Sequence, residues 1–143
     1  MNFVLDASVT LSWLLRDASG KNSQYAFAVL NALRVPDAAF AVPVTWALEV
    51  ANVISRSEAK RVITATHSEA FLEMLQGTAA EVDAISARQA LGDTLQLARR
   101  YRLSAYDASY LELALRLSLP LATLDEDLRR AAEKAGVKRF NPR

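Results

Sequence analysis

Two short apolar runs in this 143-residue chain end in aspartate: "FVLD" at Asp6 and "LATLD" at Asp125. A third acid, Asp107, sits near the start of "LSAYDASYLELALRL", which is otherwise apolar nearly all round. A fourth, Glu49, belongs to a polar stripe formed by Thr45, Glu49, Asn52 and Arg56 at helical spacing. Taken singly, each has an ordinary explanation. A strand-end Asp commonly caps the next helix. Ser104 and Asp107 have the S-x-x-D spacing of a capping box, and an acid suits the positive end of a helix dipole. Glu49 could lie on a solvated face, although Val53 rather than a base follows at i+4, so no helix ion pair accounts for it. Taken together they mean more. In an open parallel sheet, ligands bind beyond the carboxyl ends of the strands, and all four acids are expected at that rim. Carboxylates gathered there repel and raise one another's pKa, and a divalent cation relieves the conflict. An all-oxygen donor set suits Mg²⁺ or Mn²⁺. Such a centre typically serves phosphoryl transfer by activating a water and stabilising the leaving oxygen.

Composition narrows the alternatives. The chain has no cysteine and one histidine, His67, so thiolate sites are excluded and a His-ligated zinc is not expected; His67 reads as an exposed helix residue. Neither GxSxG nor GxxxxGK[ST] occurs. No run of about 18 apolar residues suggests a membrane span, and "MNFVLDASV" does not resemble a secretory signal, so a cytoplasmic location is expected. The net charge is +1, and removing the four acids from it leaves +5 on the rest of the chain. The bases cluster at Arg56, Lys60 and Arg61 and along Arg99 to Arg102, a frame that suits a polyanion, though helix surfaces often carry such charges.

These residues need elements to position them. Apolar runs predict strands at 2–6, 40–42, 79–85, 120–124 and 137–140. Helical periodicity predicts helices at 8–16, 23–35, 44–56, 64–77, 86–102, 103–117 and 126–136, with a turn at 19–22 and stops at Gly77 and Gly136. With 52% hydrophobic residues and only 4 Gly and 4 Pro, the expectation is one α/β domain over 1–143, a parallel sheet with helices on both faces.

The ordered series "VLDAS", "ALEVANV", "LSAYDASYLELA" and "LATLDEDLRRAAEKAGV" resembles PIN-domain ribonucleases, specifically the VapC-type toxins of bacterial toxin–antitoxin pairs. The resemblance spans essentially the whole chain. It implies a three-layer α/β/α sandwich with five parallel strands in the order 3-2-1-4-5. It also implies Mg²⁺- or Mn²⁺-dependent endonucleolytic cleavage of RNA. The family's acidic quartet maps onto Asp6, Glu49, Asp107 and Asp125, with Asp6, Asp107 and Asp125 as main metal ligands. Ser8 and Thr123 look like hydroxyls that orient Asp6, Asp125 or a bound water. Asn52 has a similar expected role beside Glu49 or is a plain surface residue; Asp127 is either a fifth acid of the site or an ordinary first-turn helix acid. Arg56, Lys60 and Arg61 are candidates for RNA contact. A homodimer and a cognate antitoxin are the implied partners. Phe27, Leu30, Phe71 and Leu75 are candidate dimer residues, with core packing as the other explanation.

Other readings are distinguishable. A haloacid-dehalogenase-type phosphatase needs a second Asp two residues after the first, where this chain has Ser8. A receiver domain needs an acidic pair beside the first strand. An RNA- or protein-binding module has no use for clustered acids facing phosphates.

Overall fold

The computed structural model describes residues 2–15 and 21–143. Strands β1 (Phe3–Leu5), β2 (Phe40–Val42), β3 (Ala80–Val82) and β4 (Leu121–Ala122) form a parallel sheet in the order β3-β2-β1-β4. Phe3 pairs with Phe40, Val4 with Leu121 and Phe40 with Ala80. The helices are α1 (Ala7–Leu14), α2 (Lys21–Ala32), α3 (Trp46–Ala59), α4 (Ala65–Gln76), α5 (Ser86–Gln89), α6 (Leu95–Tyr101), α7 (Ala105–Leu117) and α8 (Glu126–Lys134). Helix α1 packs on α2 and α3, whereas α7 packs on β1, α6 and α8. Among the described residues, no helix is long and apolar enough to cross a membrane.

The central strands read as continuous apolar runs because both faces are covered. Phe3, Val4, Leu5, Phe40 and Val42 are buried, each contributing about 1.5–3 kcal/mol. Helix α7 is buried from Ala108 to Ala114, which explains its lack of a polar face. The two tryptophans bury their rings and satisfy their N–H groups: Trp13 donates to Ala26 O at 2.8 Å and Trp46 to Thr10 Oγ1 at 3.0 Å.

Three expectations are corrected. Among the described residues the sheet has four strands, not five. Of the segment expected as the fifth, only Arg139 bridges to Leu121. The reason lies on both sides of it. Val137 N–H is spent on Ala132 O and Gly136 N–H on Glu133 O, closing α8 with Gly136 at φ 84°. Pro142 then offers no N–H to extend a ladder. The helix expected over 86–102 is broken: a π turn at Ala90–Thr94 separates α5 from α6, with Gly92 outside helical geometry (φ −110°, ψ −109°). Finally, α2 already starts at Lys21, inside the expected turn at 19–22; the first half of that turn and Arg16 lie outside the described residues.

Candidate active site

Each of the four acids emerges from a different element on the same rim. Asp6 follows β1 at the N-cap position of α1, yet its carboxylate makes no capping hydrogen bond. It points instead toward the β4 exit, where Ser8 Oγ and Thr123 Oγ1 both donate to Oδ2, the latter at 2.8 Å. Each hydroxyl also accepts a backbone N–H from the loop after β4. Leu124 N–H donates to Ser8 and Asp125 N–H to Thr123, both at 3.0 Å. These acceptor bonds turn the hydroxyl protons toward Asp6, so β1 and β4 are tied through a single carboxylate oxygen. Asp125 does cap its helix: Oδ1 accepts from Leu128 N–H at 2.8 Å.

Asp107 lies in the first turn of α7. Ser104 caps that helix, accepting the Asp107 N–H at 3.1 Å, as the S-x-x-D spacing predicts. Glu49 lies in the first turn of α3. Its Oε1 accepts from the Tyr110 hydroxyl at 3.1 Å, across from α7. The sequence reading missed Tyr110. The available signal was its place one turn after Asp107, together with the need of a buried phenol for a partner.

The electrostatics tie the acids to one another. Burial first, then the charge of Asp125, raises Asp6, which is 3% exposed. Glu49 is pushed up to about 7 by burial, helped by Asp6 and Asp107. Asp107 is pushed up to about 6 by burial, then by Asp6, Asp125 and, more weakly, Asp127. Each acid is therefore felt by others of the group, and the exposed Asp127 lies within reach. Among the described residues, no Lys or Arg forms an ion pair with any of the five.

This arrangement suits a hard divalent cation in its donor chemistry, since every available ligand is a carboxylate or hydroxyl oxygen. Thr45, one turn before Glu49, keeps its buried hydroxyl beside that carboxyl and lowers it slightly against the effect of burial. Among the described residues, no three His, Asp or Glu side chains close into a preformed cage. Like charges with no counter-charge between them have no reason to do so. Asp6, Asp107 and Asp125 would hold the cation, with Glu49 across from them.

The remaining candidates fall elsewhere. Asn52 is exposed and makes no hydrogen bond to Glu49; Tyr110 supplies that contact. Arg56, Lys60 and Arg61 are exposed toward the far end of α3, and Arg61 lines a separate cavity with Leu14 and His67. His67 is exposed, its Nε2 lying 2.9 Å from Leu14 O. Arg99 and Arg100 are exposed at the end of α6. Phe71 is buried, Leu30 and Leu75 pack against the core, and Phe27 remains 46% exposed.

Comparison with known proteins agrees with this architecture. Nine chains of solved structures match the fold. One is PAE2754 from Pyrobaculum aerophilum, with a TM-score of 0.64 at 20% identity, covering 92% of this chain and 79% of that one. No curated protein matches the sequence. The sequence itself matches the PIN domain over residues 3–134. The chain belongs to the PIN domain family, whose members are typically nucleases.

Proposed function

We propose that this PIN domain, a single unit over 1–143, is a Mg²⁺- or Mn²⁺-dependent endoribonuclease and the toxin of a type II toxin–antitoxin pair. The observation that carries the catalytic part is the convergence of Asp6, Glu49, Asp107 and Asp125 from four elements, with no cation of the described chain among them. A divalent cation bound there supplies charge neutralisation, an activated water and stabilisation of the departing 3′-oxygen. The chain's own part is positioning. Ser8 and Thr123 hold Asp6 by one oxygen and set its plane. Capping fixes the turn that carries Asp107, while Leu111 and Ala114 anchor the helix behind it. Tyr110 holds Glu49 by Oε1 and fixes its carboxyl against α7. No side chain is needed as a nucleophile.

The toxin role rests on the likeness of "VLDAS" and "LSAYDASYLELA" to VapC-type proteins. It carries with it a cytoplasmic homodimer and an antitoxin partner. The alternatives are a PIN-fold RNA-processing nuclease or a binding module. A phosphatase using Asp6 as nucleophile is disfavoured, because Ser8 stands two residues on where that class needs a second Asp. The deciding experiment incubates a panel of cellular RNAs with the protein, with and without Mn²⁺. Cleavage only with metal, lost in Asp107→Asn at unchanged Tm, is the expected result; full activity in that variant sinks the mechanism. Growth arrest relieved by a small DNA-binding protein from the adjacent reading frame is the expectation for a toxin, and growth unaffected by expression removes that role.

A further inference from the structure

Next to the acids, the molecule has a cavity of about 410 Å³ at the open side of β4. Thr123 belongs to both: its hydroxyl bonds Asp6, and its side chain lines the cavity. Arg129, one helical turn after Asp125 and bonded to Asp125 O through its own N–H at 2.9 Å, continues the wall. Leu121, Ala132 and Val137 are buried and give the cavity an apolar floor. Lys138 and Arg139 border it as well, and Glu133 is the one acid in the lining.

Three cations against one acid make this lining positive. Arg129 is partly engaged by Glu126 at 3.0 Å, an exposed contact of small worth. Arg139 is held over the ring of Tyr25 at 4.0 Å, which keeps a planar cation in place. Lys138 is exposed and, among the described residues, pairs with no carboxylate. The volume falls in the range of small-ligand pockets. Cations beside an apolar floor match one nucleotide of a single strand, with phosphate oxygens on the cations and ribose or base over the floor. By contrast, Arg56 lies seven residues beyond Glu49, about 10 Å further along the helix.

We propose that this cavity is a nucleotide subsite that holds the RNA strand beside the phosphate to be cleaved. The proposal rests on the ribonuclease reading, so the test separates the two. Binding of a fluorescein-labelled single-stranded RNA of about ten nucleotides is followed by anisotropy across roughly 50–300 mM NaCl. Asp6→Asn is the background, to prevent cleavage. Adding Lys138→Gln and Arg139→Gln is expected to weaken binding roughly tenfold. It should also flatten the slope of log K against log[NaCl] by about 1.4, two phosphate contacts at about 0.7 each. Adding Arg34→Gln and Arg88→Gln instead, two exposed bases away from the cavity, is expected to leave the slope nearly unchanged. Lys138→Gln alone, at an exposed position, should flatten it by about 0.7 and decides the matter if the Arg139 variant loses stability. Equal slopes with and without the cavity substitutions, or equal losses in both pairs, overturn the subsite. Wild-type protein that cleaves RNA in the same experiment leaves the ribonuclease reading standing in that event. Wild-type protein that neither binds nor cleaves RNA overturns both.

Discussion

Helix α7 carries two kinds of acid. At its first turn, Asp107 faces Asp6, Glu49 and Asp125, and no base among the described residues pairs with any of them. Further along, Glu112 is more deeply buried than the half-buried Asp107, at 3% exposure, but Arg116 grips it at 2.7 Å and reaches Asp83 beyond β3 at 2.6 Å. Ser86 completes that second group by donating to Asp83 at 2.7 Å. The consequences have opposite sign. Arg116 holds the Asp83 carboxyl below its ordinary range, whereas burial and mutual repulsion push Glu49 and Asp107 up. A buried acid that serves the fold is neutralised where it stands. Acids left without a counter-charge are a standing cost that protonation, or a bound cation, would relieve.

That contrast can be broken at either end. Asp6→Asn should lower Mn²⁺-dependent RNA cleavage by at least about 10³-fold while circular dichroism is unchanged and Tm does not fall, since the amide keeps the shape and loses the charge. Activity within tenfold of wild type would remove Asp6 from the machinery. In the paired group the damage should be to stability instead. Arg116→Ala strands Glu112 in the core and is expected to cost about 3 kcal/mol in urea unfolding, with activity per folded molecule largely kept. Adding Glu112→Met should recover much of that loss, and a double variant no more stable than the single one would contradict the ion-pair account. Between these lies Tyr110→Phe, which removes only the hydroxyl on Glu49. A decrease in kcat of roughly 10-fold is expected, with a rise in the Mn²⁺ needed for half-maximal activity and little change in KM for RNA. An unchanged metal requirement would make Tyr110 a packing residue only.

The smallest effect concerns pH. Glu49 and Asp107 have folded pKa values raised to about 7 and about 6, so between their unfolded values near 4 and these values the folded chain binds more protons than the unfolded one. Their contribution is therefore favourable at low pH and is lost as pH rises through 6 to 7. In EDTA, Tm should fall across that window; with Mn²⁺ the fall should be reversed, because the cation takes the protons' place. A metal-induced rise in Tm as large at pH 5 as at pH 7.5 would refute the assignment of these carboxyls as the binding groups. The same titration in the Asp83→Asn variant should leave this metal response intact.

Much of the frame was readable because its signals are local. "FVLD" and "LATLD" announce strands entering helices, and Ser104 three residues before Asp107 announces a cap. Gly136 marks the end of α8 for a conformational reason, its positive φ. The misreadings share a cause. "VKRF" has the composition of a strand, but whether it pairs depends on how its neighbours spend their N–H groups. The helix over 86–102 has continuous periodicity, and one glycine interrupts it. For Asn52, read as either a partner of Glu49 or a surface residue, the exposed position agrees with the second, and the contact to Glu49 comes from a tyrosine 61 positions away.

The amino-acid sequence by itself determined which groups could do chemistry: four carboxylates at element ends, no thiol, and an alternating α/β pattern that must gather strand ends on one rim. Those properties follow from residue type and short-range periodicity. The tertiary structure alone decided what each acid does with its oxygens. Asp125 caps a helix while Asp6, at the equivalent position, turns away to a threonine 117 residues distant. It also decided which acids are raised and which lowered, because burial and Coulomb interaction depend on distance through space rather than along the chain.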